Sequence, residues 1–350
     1  MKYLDFERPI EELDRIIQQQ KDYYQKTGFD VAGEIDALQR KRQQLVRDIF
    51  YSLTPYQKIQ LARHPERPYC LDYIRMMCTD FLEMHGDRGF ADDPAVVGGL
   101  ASLEGRSVMI IGHQKGRDTE ENIRRNFGMA NPEGFRKALR LMEFAERFRK
   151  PVICFIDSAG AYPGIGAEER GQAEAIARNL MRMSAIKTPI MVVVTGEGGS
   201  GGALAMGVGD RILILQNAYY AVCTPEACAA ILFKDSSKAS TAVSSMRIMA
   251  DDLLELGVVD EIVSEPVGGA HQNWEETAEN LKSALIRNLD LLCRIPPEQL
   301  IEQRYAKFRG MGEYEDPQRK PLTIPSSQNH ANRNGSGLNE GGDLTAAAAG

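Results

Sequence analysis

Five glycines fall within the seven residues Gly196-Glu197-Gly198-Gly199-Ser200-Gly201-Gly202, directly after the apolar run Val192-Val193-Val194. The pattern predicts a strand, a crowded turn, and then a helix of small residues. Glycine lets backbone N–H groups approach a ligand with no side chain in the way. The first N–H groups of a helix have no partner inside it and carry its positive end. Such a turn suits a phosphate, or an oxygen that gains negative charge during a reaction. Gly196, Gly198 and Gly201 also fit G-x-G-x-x-G, but the next strand, Ile212–Leu215, ends in Gln216-Asn217. A dinucleotide site wants an acidic residue there. Tight packing accounts for one or two of these glycines and hardly for five, so an oxyanion hole is the favoured reading.

A second strand-to-glycine segment is Phe155-Ile156-Asp157-Ser158-Ala159-Gly160-Ala161-Tyr162-Pro163-Gly164. Two such loops at the ends of successive strands can face one reaction centre. The plain alternative is a structural turn in which Asp157 bonds backbone amides. A third segment concentrates cations in an otherwise acidic chain: Lys115, Arg117, Arg124, Arg125, Arg136 and Lys137. Arginine suits bidentate contact with phosphate or carboxylate, and lysine acts as a point charge. Anion contact and subunit contact are equally open readings of this stretch. His113 reads as structural rather than as a base. Cations beside two oxyanion-type turns point to thioester or enolate chemistry rather than serine hydrolysis.

Elements that would hold these loops follow from periodicity. Strands are expected at Ala95–Leu103, Val108–Gly112, Val152–Ile156, Ile190–Val194, Ile212–Leu215 and Val258–Val263. Helices are expected at Pro132–Arg147, Ala167–Lys187, Gly202–Val208, Pro225–Phe233, Trp274–Leu292 and Pro297–Phe308. In the helix from Ala167, Ala173, Ile176, Ala177, Leu180 and Met181 make the apolar stripe. This alternation is an α/β pattern. Residues 1–60 read instead as an arm of two amphipathic helices, residues 61–310 as the main domain, and residues 315–350 as a polar, glycine-rich disordered tail.

The chain has 350 residues, 43% hydrophobic and 26% charged, so a sizeable core is expected. A net charge of −7 argues against general affinity for nucleic acid or anionic membranes. Six cysteines without a C-x-x-C pair suggest reduced, mostly buried thiols and no metal site. The start, MKYLDFERPIEELDR, lacks an apolar leader, which points to the cytoplasm.

Taken together, the motifs resemble the alpha-subunit family of multi-subunit acetyl-CoA carboxylase carboxyltransferases. The resemblance lies in Leu4–Ile10, Leu61–Tyr69, His85–Arg88, Ile111–Arg117, Ile123–Met129, Gly160–Gln172, Gly196–Ala205 and Glu265–His271, and spans about residues 1–310. It implies a crotonase-like (ClpP/crotonase) α/β fold: a spiral of ββα units in two stacked sheets, with an N-terminal helical arm and C-terminal helices. It also implies transfer of a carboxyl group from N-carboxybiotin, on a biotin carboxyl carrier protein, to acetyl-CoA. The implied partners are a zinc-bearing beta subunit in an α2β2 assembly, the carrier protein and biotin carboxylase. Gly201 and Gly202 match the family's oxyanion pair, with Gly160 and Ala161 as second choice. Gly198, Gly199, Tyr162, Lys115 and Arg117 are the expected cofactor contacts. Ser158-Ala159 stands where the family commonly has Thr-Pro, which frees this loop's backbone. Two other readings are a stand-alone hydratase or isomerase using Glu168 or Glu169, and an RNA-contacting scaffold acting through Lys115–Lys137.

Overall fold

A two-residue turn at Glu104-Gly105, with φ of 48° and 74°, folds one apolar run back on another. Positive φ at both positions matches the twist of the flanking strands. The hairpin consists of β2 (Val96–Leu103) and β3 (Arg106–His113), and β1 (Thr79–Glu83) pairs outside β2. Beyond it the pairing turns parallel through β4 (Val152–Ser158), β5 (Ile190–Gly199), β6 (Arg211–Leu215) and β8 (Glu261–Val263). The remaining strand, β7 (Tyr219–Ala221), pairs with the far half of β5. Strands β4 and β5 are buried along their whole length, as parallel strands covered on both faces must be. The computed structural model describes residues 2–312, so the tail expected at 315–350 lies outside the described residues.

Helices close the layers. The arm is α1 (Arg8–Thr27) and α2 (Ala32–Tyr51), followed by α3 (Pro55–Ala62) and α4 (Cys70–Met77). Then come α5 (Thr119–Arg124), α6 (Pro132–Arg147), α7 (Ile165–Glu169), α8 (Gln172–Ala185) and α9 (Ser200–Leu204). The set ends with α10 (Pro225–Phe233), α11 (Ala239–Met246), α12 (Ala250–Glu255), α13 (Trp274–Leu292) and α14 (Pro297–Arg309). The main core packs the sheet against residues of α4, α6, α8 and α13. The arm belongs to the same compact unit as the rest of the described chain, with Ile10, Leu13 and Ile17 buried. Among the described residues no helix is long and apolar enough to cross a membrane.

Several expectations need correction. The strands form one hydrogen-bonded sheet rather than two separate ones, because β5 is long enough to pair with β6 first and β7 later. The helix expected over Ala167–Lys187 breaks into α7 and α8 at Gly171, whose φ of 82° is left-handed. Its buried face is also different: Gln172, Ala175, Asn179 and Met183 point inward, while Ala173, Ala177 and Met181 are exposed. Asn179 is tolerated there because its Nδ2 donates to the Phe135 and Ala205 carbonyls. Only Cys70 and Cys154 of the six free thiols are fully buried, and Cys293 is exposed.

Candidate active site

The turns after β4 and β5 meet backbone to backbone. A Cβ placed on Gly202 would lie 2.4 Å from both the Ala161 nitrogen and the Gly160 carbonyl carbon. One on Gly199 would lie 2.1 Å from the Ala159 oxygen. No side chain fits at such separations, so glycine at these two positions is what lets the loops touch. Gly196 and Gly198 are also crowded, at 2.5 Å and 2.9 Å from their nearest neighbours. Packing therefore explains four of the five glycines, more than the sequence suggested. Gly201 is the exception: its Cβ would meet only Ile176, at 3.7 Å.

Gly201 and Gly202 lie in the first turn of α9, and its N-cap, Gly199, supplies no side-chain hydrogen bond. Their N–H groups are thus in the first-turn positions that lack a partner within the helix. A Cβ on Gly160 would meet nothing nearer than Ser200 Cβ at 3.9 Å, so the space beside Gly160 and Gly201 is open. A cradle lined by backbone donors and small residues could hold an oxygen that gains negative charge during a reaction.

Other expected contacts fall differently. The Gly160 N–H is taken by the Ser158 hydroxyl at 3.2 Å, and that hydroxyl donates to the Gly160 carbonyl at 2.8 Å. Ser158 thereby supplies the restraint that proline would have given. The Tyr162 N–H donates to the Ala130 carbonyl, 2.9 Å away. Gly198 and Gly199 are buried residues of β5, facing Tyr220 and Ala159 rather than open space. Of the second loop's N–H groups, that of Ala161 is the one set against Gly202.

Lys115 and Arg117 are not free cations. Lys115 Nζ donates to Asp157 Oδ1 at 2.7 Å and to Glu197 Oε1 at 2.9 Å, with 13% of its side chain exposed. Arg117 donates to the Pro65 and Arg67 carbonyls, is paired with Asp72, and lies over the Tyr69 and Trp274 rings. Arg125 pairs with Glu121, Arg136 with Asp87, and Lys137 with Asp92. Arg124 is exposed and pairs at 3.6 Å with Glu121, a carboxylate shared with Arg125. With the other cations paired, little free positive charge is left to favour an RNA surface. Glu168 and Glu169 are both exposed on α7. They are not enclosed as a base poised over a substrate would be.

Sequence reasoning missed two features. Gly198-Gly199-Ser200-Gly201-Gly202 also spells G-x-S-x-G, and Ser200 has a φ of 53° at the strand-to-helix elbow. A nucleophile there needs a hydrogen-bonded base, and no histidine bonds Ser200 among the described residues. The second is the partner set of Glu197. Besides Lys115, its carboxylate accepts from Arg63 Nε at 2.8 Å and from the Tyr219 hydroxyl at 2.7 Å. Burial alone would raise the Glu197 carboxyl, but Lys115 and Arg63 bring it down to about 2. An acid inside the glycine turn was the visible signal.

No metal site was expected from the sequence, yet Glu7, His64 and His271 lie buried within 4.8 Å of one another. The two imidazoles stack at 4.0 Å with 31° between planes, and His271 Nε2 lies 3.4 Å from Glu7 Oε1. His64 already faces the Lys2 carbonyl at 2.7 Å and accepts from the Glu66 N–H at 3.2 Å. The cluster reads as a polar clamp between the arm and the turn at Gly269–Gln272.

His113 is buried near Lys115, two residues on, with the Phe155 backbone beside its ring. Burial, then the Lys115 charge, pushes its imidazole down to about 3. The unfolded chain binds that proton near pH ~6.5. Stability from this group is therefore present above that pH and falls as pH drops toward the folded value. Urea unfolding between about pH 5.5 and 4.5, where the unfolded imidazole is protonated and the folded one is not, should show a slope smaller by roughly 1.4 kcal/mol per pH unit in His113→Phe. An unchanged slope would contradict this account.

Comparison with known proteins follows the same geometry. A family model described as "Acetyl co-enzyme A carboxylase carboxyltransferase-like" matches residues 3–312. The chain belongs to this family. The family's acetyl-coenzyme A carboxylase carboxyl transferase subunit alpha from Methylococcus capsulatus is 54% identical over 317 residues, covering 91% of this chain and 99% of the relative. The protein of the same name from Geobacter metallireducens is 56% identical over 311 residues, covering 89% and 98%. Among solved structures, the fold of this chain is similar to transcarboxylase 12S, with a TM-score of 0.54 and 20% identity, over 67% of this chain and 42% of that one. A Pseudomonas malonate decarboxylase hetero-dimer gives 0.51 at 17% identity, over 62% and 89%. These likenesses give the crotonase-like fold of the carboxyltransferases. Carboxyl transfer, with acyl-CoA and biotin-linked chemistry, is the activity of the family.

Proposed function

We propose that this chain is the alpha half of a carboxyltransferase. With a beta subunit it moves a carboxyl group from carboxybiotin, borne on a separate carrier protein, to acetyl-CoA and yields malonyl-CoA. The observation that carries the reading is the contact of Gly202 with Gly160-Ala161, beside the open space at Gly201. There the N–H groups of Gly201 and Gly202 hold the ureido oxygen of the substrate as negative charge grows on it, with Ala161 N–H set alongside. Preformed donors of this kind act without reorganising. No carboxylate of this chain need act as base if the biotin anion takes the acetyl proton.

The rest of the site belongs to the beta subunit, expected to carry a zinc ribbon and most of the CoA contacts, in an α2β2 assembly in the cytoplasm. A biotin carboxylase recharges the carrier. The purified chain should be inactive alone and form malonyl-CoA when beta subunit and carboxylated carrier are added. Malonyl-CoA formation by the isolated chain, or none with beta present, would sink the reading. Hydration of crotonyl-CoA by the isolated chain would favour a hydratase instead.

A further inference from the structure

Six segments of chain converge beneath the two turns. Arg63, at the end of α3, donates to Glu226 on α10 at 2.7 Å and 3.2 Å, to Tyr219 on β7 at 3.0 Å, and to Glu197 on β5 at 2.8 Å. Glu197 shares Lys115 with Asp157 on β4, and the Glu197 N–H donates to the same Asp157 oxygen at 3.0 Å. Gly128, with φ of 79°, lies against the Lys115 stem, where an added Cβ would sit 3.0 Å from its Cγ.

The placement matters more than the count. Asp157 immediately precedes the turn Ser158–Ala161, and Glu197 immediately precedes Gly198–Gly202. Lys115 is therefore bonded to the base of both turns at once. Desolvating such charges costs several kcal/mol each, and apolar side chains would serve stability equally well. Two carboxylates neutralise the ammonium, so it does not act by attracting the substrate anion. A fixed three-centre bond does set a distance.

We propose that Lys115 is a positioning residue for carboxyl transfer: through Asp157 and Glu197 it holds the two turns at the spacing in which their N–H groups face one oxygen. Arg63 and Tyr219 complete the bonding of Glu197 and keep its carboxylate oriented. The proposal rests on the function above, but it concerns the mutual geometry of the turns, which can be read without turnover.

The test uses the chain assembled with its beta subunit. Lys115→Met and Glu197→Gln are assayed with malonyl-CoA and free biotin as carboxyl acceptor, and amide hydrogen exchange is followed over residues 158–164 and 198–204. Displacement of reacting groups by about 1 Å costs on the order of 10²-fold in rate. The expected result is a kcat lower by about that factor with KM for malonyl-CoA within roughly threefold, and faster exchange in both turns together. Unchanged kcat in a folded variant, or exchange that rises across the whole chain with a lower Tm, overturns the positioning role. If Lys115→Met does not fold, Glu197→Gln decides, since it keeps the acceptor oxygen and removes the charge. A wild-type assembly without turnover counts against the proposed function, and the exchange of the two turns then still decides the positioning role.

Discussion

Gly202→Ala is expected to lower carboxyl transfer by about 10²- to 10³-fold, the usual effect of losing one oxyanion donor. The added methyl carbon would lie 2.4 Å from the Ala161 nitrogen and the Gly160 carbonyl carbon, both backbone atoms. Backbone cannot swing aside as a flexible side chain can, so the two turns must separate. That displaces the Gly202 N–H and the Ala161 N–H in one stroke. Gly201→Ala is the internal control for folding, because its methyl would meet only Ile176 at ordinary contact distance. Gly201→Ala should keep the wild-type Tm, whereas Gly202→Ala should lower both Tm and kcat. Turnover of Gly202→Ala within a few-fold of wild type would show that the contact between the turns does not set the donor geometry.

The second large effect is on stability. Arg67 and Glu265 form a fully buried pair, with side-chain exposures of 2% and 0% and two bonds of 2.8 Å. Arg67 also donates to the Thr195 carbonyl at 2.8 Å, midway along β5. Glu265 accepts from the Asn217 N–H, its side-chain amide and the Ala270 N–H, at 2.8–3.0 Å. Burial would raise the Glu265 carboxyl, but Arg67's charge and hydrogen bonds, with Asn217, hold it at about 2. Removing one member of such a pair strands the other charge in the interior, at a cost of about 3–5 kcal/mol. Glu265→Ala should therefore lose about that much in urea unfolding, and Glu265→Gln, which also leaves the Arg67 charge unpaired and keeps only one acceptor oxygen, should lose stability too. A loss under about 1 kcal/mol, typical of exposed pairs, would mean that water reaches Arg67 in the folded state. The same bonds explain Gln216-Asn217, where a nucleotide-binding strand would have carried an acid. Asn217 is a donor to Glu265, and the Gln216 side chain accepts from the Glu265 N–H.

Local chemistry and period carried much of this reading. The expected bounds Pro132–Arg147, Pro225–Phe233 and Trp274–Leu292 agree with the helices found: Pro132, Pro225 and the N-cap Asn273 mark their starts, and the first and third keep a 3.6-residue rhythm. Short elements failed for the converse reason. Strands Thr79–Glu83 and Tyr219–Ala221 are too brief to show an alternation, and only their pairing partners make them strands. The break at Gly171 and the rotated face of α8 also depended on neighbours, since Arg170 is drawn to Glu133 and Asn131.

The glycine turn at Gly196–Gly202 stands out from residue types alone as a candidate for holding an anion, since only glycine leaves backbone N–H groups bare. The companion loop at Gly160 was visible on the same ground. What the sequence could not reveal is how the two divide the work. Which glycines are needed for packing and which leave open space depends on atoms 40 residues away in the chain, brought close by the parallel pairing of β4 with β5. The fate of the cations was equally hidden. Charge type is a property of residues, but whether Lys115 meets a ligand or two buried carboxylates is decided by distance in three dimensions, and the tertiary fold sets that distance.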